Sequence, residues 1–339
     1  MLFLVFFLFP ISVYAKDTAK SSIAMDIDSM RILYKNNIDE RRLIASTTKI
    51  MTFLVAINNL DVNKKIIVGD EVNSSYGSNT YIEKGEVISV LDLLYGLMLR
   101  SGNDCALVLS KNIKGFVPKM NMYAKRIGMT STIFQNETGL DDYDLKNYST
   151  ARDMAKLSSY VYKNSLYRKI INTYKYETQT NKKSYIWYNR NKMLKKYKYL
   201  VGGKTGYTPK AGRTLVTVAK KNDFAITMVS LNDPNHYNSE EEIYNYLFNK
   251  YKRIKILNKG KFYINGFFND VLYVKNDFYY PLTKEESQNI KLIYKIYKLK
   301  NYSNNTKIGY IDVKLYNNSI HKEYIFVKKK RHKSLLFWS

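Results

Sequence analysis

A change from a strand pattern to a helical pattern occurs at Ala45-Ser46-Thr47-Thr48-Lys49-Ile50-Met51-Thr52. This stretch follows the alternating pattern of residues 22–36, typical of a hairpin, and begins a run of apolar residues at helical spacing. The helix predicted to begin at Ser46 has an apolar stripe made of Ile50, Met51, Phe53, Leu54 and Ile57. Ser46 and Lys49 are one helical turn apart, so their side chains lie on the same face.

This pairing can generate a nucleophile. A serine hydroxyl reacts only when a neighbouring base takes its proton, and lysine can be that base when burial and nearby cations lower its pKa. Ser46 also lies at a predicted helix N-terminus, where free N–H groups and the helix dipole favour developing negative charge. The signal is weak by itself, because Ser319-Ile320-His321-Lys322 repeats the spacing in a stretch with a strand pattern.

Two further motifs carry polar groups suited to catalysis. Ser101-Gly102-Asn103 lies between apolar helices predicted at 87–99 and 103–109, and offers a hydroxyl to relay a proton and an amide to bind a substrate amide. Lys204-Thr205-Gly206 precedes strands predicted at 214–220 and 224–231. A cation and a hydroxyl together suit a carboxylate, and Gly206 leaves room for another backbone. Each motif alone is equally compatible with an ordinary turn.

A fourth polar stretch, Asn136-Glu137-Thr138-Gly139-Leu140-Asp141, is interpreted as a loop without a catalytic role for Glu137. Thr150 or Ser149 is expected to cap a helix over 150–162. The single cysteine, Cys105, is expected in the core, since a lone cysteine behaves as a small hydrophobe.

The order of patterns predicts an α/β (α+β) domain over residues 16–253, in which helices flank a largely antiparallel sheet. From about Asn258 short alternating runs are broken by Asn, Gly and Lys, which predicts a small all-β domain over 254–327. Residues 1–15 are interpreted as a secretory signal, although a positive n-region is missing. Residues 328–339 form a basic amphipathic tail suited to the surface of an anionic membrane.

Composition narrows the partners and the chemistry. Lys and Arg number 55 against 29 Asp and Glu, giving a net charge of +26 that suits nucleic acid, anionic lipid or anionic wall polymer. The three histidines are far apart and no HExxH motif is present, which argues against a zinc hydrolase, and neither a metal nor a cofactor is expected. The secretory start and the lack of a nucleic-acid-binding motif argue against nucleic acid.

Taken together, the motifs Ser-x-x-Lys, Ser-x-Asn and Lys-Thr-Gly, in this order, resemble the penicillin-recognising serine enzymes. Their flanks, in residues 45–52, 100–104, 203–208 and 211–216, look like those of the low-molecular-mass D-alanyl-D-alanine carboxypeptidases. The resemblance covers about residues 20–250 and implies a β-lactamase/transpeptidase-like fold. More weakly, it extends to the β-rich C-terminal domain and the tail.

The resemblance implies a role for each matching residue. Ser46 would attack the carbonyl of the penultimate D-alanine, Lys49 would take its proton, and Ser101 would relay a proton to the leaving D-alanine. Backbone N–H groups of Ser46 and Tyr207 would bind the oxyanion. The residues implied to bind substrate are Asn103 for the amide, Lys204 for a positive field, Thr205 for the terminal carboxylate, and their neighbours Gly206 and Tyr207. The implied partners are a peptidoglycan stem peptide ending in D-Ala-D-Ala and β-lactam inhibitors, outside the cell membrane.

One departure and two alternatives stay open. Relatives often carry an Arg after the strand that follows Lys-Thr-Gly, and residues 231–237 have none, so carboxylate binding would rest on Arg213 or Lys204. A serine β-lactamase would use the same chemistry with faster deacylation, and is disfavoured by the Ser-Gly-Asn motif and the extra β domain. A catalytically idle wall-binding protein is disfavoured by the intact Ser46 and Lys49. The motifs do not separate carboxypeptidase from endopeptidase activity.

Overall fold

The computed structural model describes residues 16–141, 144–263, 271–297, 299 and 302–328. They fall into two units that divide between Leu247 and Phe248, whereas the sequence places the division after residue 253. The predicted signal at 1–15 and the tail beyond Lys328 lie outside the described residues. Among the described helices, none has the length and apolarity needed to span a bilayer.

The first unit alternates short strands with helices. Its strands are β1 Ser21–Asp26, β2 Ile32–Asn36, β3 Arg42–Leu43, β4 Lys65–Ile67, β5 Val87–Ser89, β6 Tyr148–Ser149, β7 Lys175–Gln179, β8 Ser184–Tyr188, β9 Leu200–Thr208, β10 Gly212–Lys221 and β11 Phe224–Leu231. Its helices are α1 Lys49–Ile57, α2 Val90–Tyr95, α3 Asn103–Lys111, α4 Phe116–Ile127, α5 Ala151–Tyr162, α6 Ser165–Asn172 and most of α7 His236–Lys250, which runs past the division at Leu247. Short 3₁₀ turns cover Ala45–Thr48, Asp70–Ser74 and Lys192–Lys195.

The central sheet is antiparallel, in the order β2-β1-β11-β10-β9. One face packs against α5, where Thr227 bonds to Ser158. The other face meets α7, where buried Glu240 accepts hydrogen bonds from Thr217 and Ser230. Burial raises the pKa of Glu240 to about 8, although both hydroxyls act against the shift. Helices thus cover both faces of the sheet. Strand β9 is an edge strand and lies beside the turn Ala45–Thr48 that leads into α1.

The helix predicted over 87–99 is wrong in its extent. Val87–Ser89 is a strand paired with Lys65–Ile67, and Ser89 then caps α2 through a reciprocal pair of bonds with Asp92. Gly96–Arg100 is a π-helical turn that ends at Ser101 in the left-handed conformation, with φ of 63°. Such π turns occur often at functional sites. Two other predictions are confirmed: the Thr150 side chain caps α5, and Cys105 is buried.

The second unit is rich in strands. They are β12 Lys252–Leu257, β13 Gly260–Phe262, β14 Val271–Val274, β15 Phe278–Leu282, β16 Ile290–Ile296, β17 Lys307–Leu315 and β18 Asn318–Lys328, with one short helix, α8 Lys284–Ser287. Five strands form a sheet in the order β13-β14-β18-β17-β16, and β12 pairs with β15. Inward-facing residues such as Leu272, Val313 and Ile325 form its own core. The predicted fold class is confirmed.

Candidate active site

Ser46 and Lys49 lie where the 3₁₀ turn Ala45–Thr48 becomes α1. Ser46 lines an open cleft of about 760 Å³, whereas Lys49 is completely buried. Lys49 Nζ is 3.0 Å from Ser46 Oγ, within hydrogen-bond distance. The two side chains therefore face each other as the spacing predicts.

Lys49 is held by two further oxygen atoms. Its Nζ donates to Asn103 Oδ1 at 2.6 Å and to the Thr138 carbonyl at 2.6 Å. Burial lowers the pKa of Lys49 to about 7, against the opposing charge of Asp104. A neutral amine has two protons and one lone pair, and both of these oxygens can only accept. A neutral Lys49 that gives both protons to these oxygens would have its lone pair free to face the Ser46 hydroxyl.

Ser101 and Asn103 flank the turn between the π segment and α3. Ser101 Oγ accepts a hydrogen bond from Lys204 Nζ at 2.9 Å. Asn103 uses both ends of its amide within the protein, because Nδ2 also donates to the Tyr76 carbonyl at 2.7 Å. Its side chain lines a smaller cavity of about 210 Å³, shared with Thr138, and is not among the residues that line the cleft with Ser46.

The Lys-Thr-Gly motif is part of the edge strand β9 rather than a turn before the sheet. Lys204 is buried, and its Nζ also donates to the Thr205 carbonyl at 2.7 Å. Burial, reinforced by the charges of Lys49 and Arg190, holds the pKa of Lys204 well below its usual range. Thr205, Gly206 and Tyr207 line the cleft on this side.

Gly206 makes the close approach that its residue type predicts. A Cβ placed there would lie 2.3 Å from Thr214 Oγ1 and 3.0 Å from the backbone nitrogen of Ser46. Any side chain would therefore push β9 away from the start of α1. The absence of a Cβ allows the strand and the Ser46 turn to form two walls of one cleft.

The loop Asn136–Asp141 belongs to the site, whereas its residue types alone predict an ordinary loop. It supplies the Thr138 carbonyl to Lys49, and Gly139, with φ of 85°, passes directly over the Ala45 carbonyl. A backbone carbonyl leaves no signature in the residue types, so only Gly139 in a short polar stretch could have indicated a close contact. The side chain of Glu137 accepts from Ser110 instead, in line with its having no assigned role.

Three cleft residues not assigned by their motifs are Arg190, Arg213 and His236. Arg213 lies on β10, directly opposite Tyr207 of the neighbouring strand β9. Its guanidinium is 5.8 Å from the centroid of the Tyr207 ring. His236 begins α7, and burial lowers its pKa. Arg213 and Thr205 therefore line the same cleft, and the expectation that Arg213 binds the terminal carboxylate stays a prediction.

Ser46, Ser101 and Thr205 line one cleft. Lys49 and Lys204 are buried and bond to Ser46 and Ser101 respectively, and Asn103 in turn accepts a bond from Lys49. A serine and lysine at a helix start, a Ser-x-Asn turn and a Lys-Thr-Gly strand together define the class of penicillin-recognising serine hydrolases.

Comparison with known proteins identifies the family within this class. Residues 12–235 match the family described as D-alanyl-D-alanine carboxypeptidase, and residues 251–333 match the C-terminal domain of penicillin-binding protein 5. D-alanyl-D-alanine carboxypeptidase DacF of Bacillus subtilis is 36% identical over 222 residues, 62% of this chain and 57% of that protein. The D-alanyl-D-alanine carboxypeptidase of Streptomyces sp. strain K15 is 32% identical over 255 residues, 68% of this chain and 87% of that protein.

A solved structure of a penicillin-binding protein has a similar fold. Penicillin-binding protein 5 from Haemophilus influenzae has a TM-score of 0.77 at 26% identity, covering 93% of this chain and 98% of that one. The chain belongs to the D-alanyl-D-alanine carboxypeptidase family of penicillin-binding serine peptidases. It spans little more than half the length of the Bacillus relative.

Proposed function

We propose that this protein removes the terminal D-alanine from peptidoglycan stem peptides ending in D-Ala-D-Ala, through an acyl-enzyme on Ser46. The observation that carries the proposal is the Ser46–Lys49 pair, with Oγ on a cleft and 3.0 Å from a buried amine whose pKa is lowered to about 7. Membership of the carboxypeptidase family supports the reaction class.

Acylation begins when Ser46 Oγ bonds to the carbonyl carbon of the penultimate D-alanine and Lys49 Nζ takes the hydroxyl proton. The carbonyl oxygen becomes negative and lies between the backbone N–H groups of Ser46 and Tyr207. The closeness of Gly206 to the Ser46 nitrogen supports this placement. Preorganised N–H donors of this kind contribute about 3 kcal/mol each to lowering the barrier.

The peptide C–N bond then breaks. Ser101 passes the proton held on Lys49 to the departing nitrogen, so D-alanine leaves as a neutral amine. In deacylation the oxygen of a water molecule bonds to the ester carbonyl carbon and the bond from that carbon to Ser46 Oγ breaks. One proton of the water passes through Lys49 to Ser46 Oγ, and the new carboxyl group of the shortened peptide releases the other to solvent. A β-lactam would acylate Ser46 in the same way, but its leaving group stays tethered and deacylation slows.

Recognition of the terminal carboxylate is assigned to the Thr205 hydroxyl and the Arg213 guanidinium, which line the same side of the cleft. Lys204 keeps Ser101 oriented through their hydrogen bond. Asn103 positions Lys49 with its carbonyl oxygen. That its second Nδ2 proton also binds the substrate amide stays a prediction.

The test is release of D-alanine from a synthetic peptide ending in D-Ala-D-Ala. We expect release by the wild-type protein and none by Ser46→Ala. Absence of release from the folded wild-type protein would contradict the proposal and favour the idle wall-binding alternative. A cross-linked peptide dimer, tested beside the linear peptide, separates carboxypeptidase from endopeptidase activity. Cleavage of the dimer requires the cleft to accept an amide bond that joins two peptides, not the bond to a terminal D-alanine.

We also propose that the protein works at the outer face of the bacterial cell membrane, with residues 328–339 on the lipid surface. The apolar start at 1–15, the +26 charge and the location of peptidoglycan support this. A chain ending at Val327 should move from the membrane fraction to the soluble fraction of cells. If both chains fractionate alike, the tail is not the anchor.

A further inference from the structure

The cleft that holds Ser46 carries an excess of positive charge. Six Arg and Lys residues line it and no Asp or Glu does; the six are Arg100, Arg190, Lys192, Lys195, Lys196 and Arg213. Among the described residues, none of the six is within ion-pair distance of a carboxylate. Uncompensated cations in a concave surface concentrate anionic ligands.

Three of these cations form one edge of the cleft, the lysine rim of Lys192, Lys195 and Lys196. The 3₁₀ turn that carries them is firmly held: Asn191 is buried and accepts from the backbone of Met193, which is also buried. The ammonium group of Lys195 is 3.7 Å from the centroid of the Tyr174 ring. The rim is thus presented by an ordered turn, while its three side chains are exposed.

Two of the other three cations, Arg190 and Arg213, already have a contact or an assigned role. Arg190 donates to Ser78 at 2.6 Å, and its pKa is lowered by burial and by the neighbouring charge of Arg100. Arg213 lines the same cleft as Thr205, where the terminal carboxylate is assigned. The terminal carboxylate of the substrate therefore pairs with Arg213 at one end of the cleft, and no anionic partner is assigned to the lysine rim.

Resting on the proposed function, we infer that the lysine rim is a second anion subsite, for a free carboxylate of the stem peptide upstream of the two D-alanines. The cleft volume of about 760 Å³ lies in the upper part of the usual range for ligand sites, so it accommodates more than two alanines. The enzyme would then prefer stem peptides whose acidic residues are free over those in which they are amidated.

The test compares two synthetic pentapeptides with the same D-Ala-D-Ala end, one with free acidic side groups and one with these groups amidated. We expect wild-type kcat/KM to be about tenfold higher for the acidic peptide, mainly through KM, and the preference to shrink as salt is raised. The variant Lys192→Gln/Lys195→Gln/Lys196→Gln should bring the ratio of the two kcat/KM values close to one.

The matched control is Lys111→Gln/Lys114→Gln/Lys125→Gln, which removes the same charge from exposed lysines that do not line the cleft. It should keep the wild-type ratio. Equal wild-type rates for the two peptides, or a rim variant that keeps the preference, would overturn the subsite and leave the proposed function intact. Failure to cleave either peptide would instead remove the proposed function. A rim variant that loses binding to a polyphosphate wall polymer but keeps its peptide preference would assign the rim to the polymer, against the inference.

Discussion

Lys49 is held between two oxygen atoms that can only accept hydrogen bonds, Asn103 Oδ1 and the Thr138 carbonyl. Both contacts would be satisfied by a neutral amine, and burial removes most of the solvation that stabilises the ammonium form. The hydroxyl of Ser46 then meets a lone pair rather than a third N–H. The base is created by its surroundings, not by the lysine alone.

This arrangement predicts how acylation depends on pH. Below a pKa of about 7 Lys49 is protonated and has no lone pair, so the rate of acylation by penicillin should rise with pH through that value and level off above it. Lys49→Met, which cannot titrate, should remove the rise and lower the rate by about 10²–10⁴-fold. Rapid-mixing kinetics measure both. A flat profile for the wild-type protein would show that Lys49 is not the base.

Arg213 gives a second prediction at this scale. Arg213→Gln should raise KM for a D-Ala-D-Ala peptide by about tenfold with a smaller change in kcat, because a charge-assisted bond to the terminal carboxylate is lost. Arg213→Lys, which keeps the charge, should recover part of the loss. Steady-state kinetics on both variants measure these changes. An unchanged KM in Arg213→Gln would show that Arg213 does not bind the carboxylate and would favour Lys204, the other candidate from the sequence.

At the scale of elements, the π turn Gly96–Arg100 sets the position of Ser101 by ending in a left-handed residue. A non-glycine residue in this conformation costs about 1 kcal/mol or more. Ser101→Gly and Ser101→Ala both remove the hydroxyl, so both should lose most of the acylation rate. Only the glycine variant relieves the backbone, and it should melt at a higher temperature than the alanine variant. Equal activity in either variant and the wild type would exclude a proton relay through Ser101.

The elements show what residue patterns can and cannot predict. The α1 stripe and the β10–β11 hairpin follow from local periodicity, and the residue types of Ser46, Lys49 and Lys204 indicate their chemistry. The residue pattern predicts an ordinary helix in place of the π turn, because Gly96–Arg100 is as apolar as the helix before it and the wider turn has no signature in the residue types. The loop at Thr138 was missed for a different reason, since its contribution is a backbone oxygen.

The two units of the whole molecule each have a core of their own. Every site residue named above lies in the first unit, so a ligand on Ser46 stabilises that unit directly. We expect calorimetry to resolve two transitions, of which acylation by penicillin shifts one upward and leaves the other in place. A shift of both transitions by the same amount would contradict this division of stability.

Whether Ser46 forms an acyl-enzyme is tested by the intact mass of the purified protein after incubation with benzylpenicillin, with Ser46→Ala treated in parallel. An acylating serine with slow deacylation predicts one adduct of penicillin mass on the wild-type protein and none on the variant. No adduct with the penicillin left intact would contradict the acyl-enzyme on Ser46. No adduct with the penicillin consumed would contradict the carboxypeptidase assignment in favour of a β-lactamase.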